Sequence, residues 1–185
     1  MFLDESGFLL IPTRRRTWGP QGRTPVIRYS LRHERISALA ALSASARRRR
    51  MGLYVRFQAQ NFLAAHVADF LRALLRHLRR KVIVLWDGSP IHKGPFLRKL
   101  RHQYPRLHVE WFPGYAPELN QVEFLWAQVS EHLACRAPQS IKELKGLVHM
   151  ALQRSRDSHW RLEACLRGAE LPWGRRASGY LFKTQ

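Results

Sequence analysis

The apolar positions change their period partway along the chain. Through residues 1–57 they fall in short runs broken by turn residues: FLDES, FLLIPT, VIRYSL, ISALAALS and LYVRF. Runs of that length, bounded by Gly, Pro and Ser, predict strands joined by hairpin-like turns, most of them antiparallel neighbours. A Gly-Pro-Gln-Gly turn marks 19–22, and the arginine run 47–50 predicts a solvated loop tip. From 61 to 78 the spacing becomes helical: Leu63, Val67, Phe70, Leu71, Leu74, Leu75 and Leu78 share one face, with Arg72, Arg76 and Arg79 off it. VIVLWD (82–87) is a continuous apolar run of strand length, which predicts a strand covered on both faces and ended by Gly88-Ser89-Pro90. A helix over 93–103 follows, then a strand at HVEWF (108–112) closed by Pro113-Gly114. The next helix opens near Glu118 or Asn120 and runs to about Ala134, and Ser140-Ile-Lys-Glu143 is a capping box opening another towards Arg156. From about Arg161 the chain is basic and poorly patterned. The expected organisation is one domain over 1–160 and a basic tail over 161–185.

Antiparallel strands followed by a strand-helix-strand half predict an α/β fold, a mixed sheet with helices on its faces and parallel neighbours in the second half. At 185 residues, 45% apolar and 11% aromatic, the chain can bury a sizeable core without staples. Charge changes the picture more. Lys+Arg number 32 against 13 Asp+Glu, a net +19 with a pI near 11.4, and the self-repulsion this implies points to a polyanionic partner. Arginine outnumbers lysine, and its planar fork suits phosphate. No apolar run reaches the ~18–20 residues of a membrane span. MFLDESGF carries acids where a signal peptide carries bases, so the expectation is a cytoplasmic, nucleoid-associated protein with no membrane partner. Cys135 and Cys165 stand alone, without metal-ligand spacing, and read as buried thiols.

Ligand sites in open α/β sheets form beyond the strand ends. Asp87 ends the VIVLW strand, Asp4 lies in the first strand, and Glu123 lies on the helix after HVEWF with 35 residues between it and Asp87. Three converging carboxylates need a counter-charge. Hard divalent cations supply it, Mg²⁺ above all where phosphates react, and two such ions stabilise the attacking and leaving oxygens of an in-line displacement. Glu5 adjoins Asp4, but successive strand side chains face opposite ways, so Asp4 is taken for the site and Glu5 for a salt-bridge or capping group.

FPGYAPELNQVEFLW (112–126) resembles the Pro-Tyr-Ser-Pro-Glu-Leu-Asn-Pro-Ile-Glu-x-x-Trp signature of the mariner-superfamily transposases, in particular their bacterial insertion-sequence branch. DESGF looks like that family's first acidic motif, RRRTWGPQGRTP (14–25) like its Arg-x-x-Trp-x-Pro-x-Gly-x-x-Pro hairpin, and VIVLWDGSPIHKG (82–94) like its second acidic motif, with a histidine five residues beyond the aspartate. The four motifs, in order, cover about the first 135 residues. The resemblance implies a ribonuclease-H-like fold with Asp4, Asp87 and Glu123 as both catalytic and metal-binding triad, and two Mg²⁺ ions for which Mn²⁺ can substitute. It also implies hydrolysis at transposon ends, then attack of the freed 3′-OH on target DNA, typically at a TA dinucleotide, by a homodimer on double-stranded DNA. Family members carry an upstream helix-turn-helix region that is absent from this sequence, so a separately encoded helix-turn-helix subunit or an upstream frame is an expected partner. Gly88 stands where the family usually has Asn, and Gln121-Val122 where it has Pro-Ile.

Other residues have two readings each. Asn120 either orients Glu123 or touches DNA, or caps the helix; Trp126 either packs the core or stacks on a base. His92 either meets phosphate or the attacking water, or is a polar residue near a helix start. Arg14, Arg15, Arg16 and Trp18 form either a DNA-contacting hairpin or solvated charge. Against an active transposase stand two alternatives: a catalytically silent DNA-binding remnant, and another ribonuclease-H-like nuclease such as a resolvase or hybrid nuclease.

Overall fold

The structure is a computed structural model that describes residues 1–12, 15, 18–23, 26–29, 32–46, 50–114 and 116–169. Five strands form one mixed sheet: β1 (Phe2–Leu9), β2 (Arg35–Ala44), β3 (Met51–Gln58), β4 (Val82–Trp86) and β5 (Leu107–Trp111). Their order is β3-β2-β1-β4-β5, with β1/β2 and β2/β3 antiparallel and β1/β4 and β4/β5 parallel. The expected division into an antiparallel half and a parallel half holds. The helices are α1 (Ala64–His77), α2 (Pro95–Gln103), α3 (Gln121–Leu133), α4 (Ile141–Arg156) and α5 (His159–Gly168), with short 3₁₀ turns at Pro90–His92 and Pro117–Leu119.

Strand alternation sorts the core into two layers. Phe2, Phe8, Ile36, Ala38, Ala40 and Leu42 point to one face, where Leu125, Trp126, Val129, Leu144, Val148 and Leu162 from α3, α4 and α5 cover them. Leu3, Leu39, Ala41, Val84 and Trp86 point to the other, against Val67, Phe70, Leu71 and Leu75 of α1 and Leu97 and Leu100 of α2. β2 is rich in alanine because helices close on both of its faces. Arg106 of the β5 approach is tied to the Leu75, Leu78 and Arg80 carbonyls, so this arginine satisfies the orphan end of α1.

Four sequence expectations change. FLDES and FLLIPT are not two strands: β1 runs unbroken across Gly7 in full antiparallel register with β2. The apolar run at 26–29 forms no strand; Val26 is exposed, and Ser30 and Leu31 lie outside the described residues. β4 is not covered on both faces along its length, since Ile83 is 53% exposed. The tail does not begin at 161, because Ser158 caps α5 by accepting from Arg161 N at 3.3 Å, and Leu162, Cys165 and Leu166 enter the core. Gly168 lets α5 close on α3: a Cβ there would stand 2.6 Å from Cδ1 of Phe124. Of the two thiols only Cys165 is buried; Cys135 is half-buried.

If α5 is part of the domain, Leu162→Ala leaves a core cavity and costs about 2–4 kcal/mol of unfolding free energy in denaturant titration. A value near zero would return this segment to a tail.

Candidate active site

Asp4 enters the core because β1 does. It faces the α3 layer at 8% exposure, and the Trp126 indole Nε1–H donates to its Oδ2 at 2.9 Å. Trp126 itself is 5% exposed and meets Phe8 edge-on at 5.8 Å between centroids, so packing and orientation of Asp4 are its roles in this fold. Asn120 takes the capping alternative: its Oδ1 accepts from Val122 N at 3.1 Å, and its Nδ2 donates to the Leu3 carbonyl at 3.4 Å. One side chain thus starts α3 and ties it to the strand that carries Asp4. Glu123, in the first turn of α3, is exposed and faces the same region.

Asp87 leaves the carboxyl end of β4 with its side chain 54% exposed. Its Oδ1 accepts from Ser89 N at 3.1 Å and lies 2.6 Å from Nδ1 of His92. His92 is fully buried, stacked on Trp86 at 4.4 Å and 4° between planes. Its Nε2 lies 3.0 and 3.1 Å from the two carboxylate oxygens of Glu5. Glu5 therefore takes the salt-bridge role on the opposite face of β1 from Asp4. Among the outlying candidates, Arg15 and Trp18 are exposed and distant in character from this cluster, Trp18 being wholly in solvent. Arg14 and Arg16 lie outside the described residues.

The three acids lie within electrostatic reach of one another. Burial first, then the charges of Glu123 and Glu5, push the Asp4 carboxyl up to about 8 against a pull down from the Trp126 hydrogen bond, and Asp87 adds a smaller push. Partial burial and the charge of Asp87 raise Glu123 as well. For His92 burial opposes the charged form, but the hydrogen bond and charge of Glu5 and the charge of Asp87 outweigh it and raise its pKa. Two raised carboxyls, Asp4 and Glu123, beside a third oxygen-donor acid are a set that a hard divalent cation would fit. Among the described residues no three acid, histidine or cysteine side chains stand ready-closed on a metal-sized space. Asp87 is held by His92 and Ser89, with its side chain half-exposed.

A mixed sheet of this order, with acids from β1, from the end of β4 and from the covering helix, defines a ribonuclease-H-like nuclease fold. Residues 1–145 match the family described as DDE superfamily endonuclease, and the chain belongs to that family. Among solved structures it is similar to the Mos1 transposase paired-end complex with the left transposon end, with a TM-score of 0.59 at 18% identity, over 91% of this chain and 55% of that one. The Mos1 strand transfer complex gives 0.58 at 18% identity, over 91% and 54%. The Mos1 mariner paired-end complex with Mn gives 0.57 at 17% identity, over 91% and 55%. These likenesses bear out the fold, and the chain spans about 55% of the length of the chains it matches. Among curated proteins there is no match.

The raised carboxyl has a consequence for stability. In the fold Asp4 keeps its proton to about 8, and unfolded only to the ordinary 3.8, so its contribution is fully present below the lower value and lost as pH rises through the upper. With chelator present, Asp4→Asn, which cannot ionise, should gain Tm relative to the unsubstituted chain between about pH 5 and about pH 8.5. Parallel pH profiles for the two proteins would refute the shift.

Proposed function

We propose that this chain is the catalytic domain of a DNA transposase, cutting strands at transposon ends and joining the freed 3′ ends to target DNA. The observation that carries the reading is the buried Asp4 carboxyl, bonded to the Trp126 indole and raised to about 8 by burial first and then by the neighbouring acids Glu123, Glu5 and Asp87, a strain that a bound cation would relieve. Membership of the DDE endonucleases and the likeness to mariner transposase complexes support it.

Asp4, Asp87 and Glu123 would hold the metal, Mg²⁺ with Mn²⁺ as substitute, in two sites. Bound divalent cations stabilise charge on the attacking and leaving oxygens of an in-line phosphoryl displacement. The chain's own residues set the stage for it. Trp126 and the β1/β2 ladder fix Asp4, the Asn120 cap fixes the first turn of α3 and with it Glu123, and His92 and Ser89 hold Asp87. Hydrolysis forms a phosphorus–oxygen bond from water and breaks the bond to the 3′ oxygen, which leaves as a hydroxyl. In strand transfer that hydroxyl attacks a phosphorus of the target strand and displaces its 3′ oxygen, so the number of phosphodiester bonds is conserved.

Double-stranded DNA is the partner that fits a +19 surface, with two copies of the chain serving two ends. Four of the cations gather away from Asp87. Arg50, Arg79, Arg80 and Lys81 line a recess of about 1080 Å³ at the opposite end of β4, where Lys81 precedes the strand and Asp87 follows it.

Asp87→Asn should lower Mg²⁺-dependent strand cleavage by about a thousandfold or more while leaving DNA affinity unchanged in a gel-shift titration. Cleavage at the unsubstituted rate would remove Asp87 from the site. Duplex affinity should also fall steeply with salt, by about 10³-fold between about 50 and 200 mM if some six phosphates are neutralised; a flat salt profile would sink the electrostatic part of the reading.

A further inference from the structure

β1 presents two neighbouring carboxylates to opposite faces of the sheet. Asp4 belongs to the acid centre. Glu5, with its side chain 19% exposed, faces the α1/α2 layer and meets His92. His92 is the middle of a rigid bridge. Its ring is clamped flat on Trp86, its backbone N–H donates to the Ser89 carbonyl at 3.0 Å, and its Nδ1 sits 2.6 Å from Oδ1 of Asp87 and 3.2 Å from the Asp87 carbonyl. Both ring nitrogens are thus committed, one to each carboxylate, and the ring cannot turn without breaking the stack. The two strands bridged this way share the register pair Phe2 with Leu85, next to the bonds of Met1 to Ile83 and Leu85.

We propose that Glu5 is a positioning residue. Through His92 it sets where the Asp87 carboxylate stands, and so governs how well the acid centre takes a divalent cation, without belonging to that centre. The inference rests on reading Asp4, Asp87 and Glu123 as a cation site. Groups that orient metal ligands in this way are commonly worth about 10–100-fold in affinity. What matters in this case is reach, because His92 is buried and fixed while the Glu5 arm spans just far enough to meet Nε2 with both oxygens.

Two variants separate reach from charge. Glu5→Gln keeps the length and an acceptor oxygen but loses the charge; Glu5→Asp keeps the charge but falls a methylene short. Mn²⁺ is titrated into the full-length chain and followed by loss of the free-ion EPR signal, with Tm in chelator as the measure of folding. Expected is an affinity for Glu5→Gln within about threefold of the unsubstituted chain and a loss of about tenfold or more for Glu5→Asp. With Asp87→Asn as background, Glu5→Asp should cause no further loss, since its effect passes through Asp87. Equal affinity in all three Glu5 proteins would overturn the proposal and leave Glu5 a structural salt-bridge partner. The reverse order, with Glu5→Gln the weaker, would overturn it in favour of a plain charge effect or direct ligation, and additive losses with Asp87→Asn would do the same. If the unsubstituted chain and Asp87→Asn bind Mn²⁺ alike, or neither binds, the cation-site reading falls and takes this proposal with it. Binding by the unsubstituted chain that Asp87→Asn abolishes, with Glu5→Asp unaffected, defeats the positioning role alone.

Discussion

A carboxylate on a core strand is the constraint around which this structure is arranged. Asp4 occupies an inward position on β1 that strand alternation would give to an apolar residue, with Phe2 and Phe8 on the same face. Taking a carboxyl out of water costs free energy unless it is neutralised or bonded. The fold supplies one donor, the Trp126 indole, and surrounds the group with further acids. The result is a carboxyl whose proton the folded state holds far above the ordinary range, to about 8. The elements near it serve that end: Trp126 and Asn120 come from one helix and lock it against β1, and the length of β4 sets where Asp87 emerges.

The division of labour between the two faces of β1 follows from the same alternation. One face carries the acid and its indole partner; the other carries Glu5, which acts on β4 through His92. Charge is likewise parted along β4, with Arg79, Arg80 and Lys81 before it and Asp87 after it. Part of the chain's positive charge thus stands at the other end of the strand from Asp87.

Much of this was legible in the chain, for physical reasons that differ by element. Helical periodicity over 63–78 and the Ser140 capping box were strong because side chains on one face must repeat, and α1 and α4 lie where those signals put them. The three candidate acids stood out because each sits in its own motif, in the first strand, after a strand or at a helix start. α5 was not: Leu162, Cys165 and Leu166 make one short stripe among charges, too brief to separate from a basic tail. The run at Val26–Tyr29 has strand composition but no strand, since apolar content does not supply a pairing partner. The Glu5–His92 contact joins residues 87 apart and emerges only once the sheet order is known. Arg106 caps the end of α1 from 28–31 residues away in sequence, a pairing that only the fold reveals.

The junction of β1 with β4 has a mechanical meaning. On one side lies a fully laddered antiparallel sheet, on the other a parallel pair, and between them one register pair, Phe2 with Leu85. Met1 adds bonds at the same junction, its amino group donating to the Ile83 carbonyl at 2.8 Å and its carbonyl accepting from Leu85 N at 2.8 Å. An ion or substrate that bridged Asp4 and Asp87 would draw on the same contacts, so its binding and the seating of β4 against β1 would be linked equilibria.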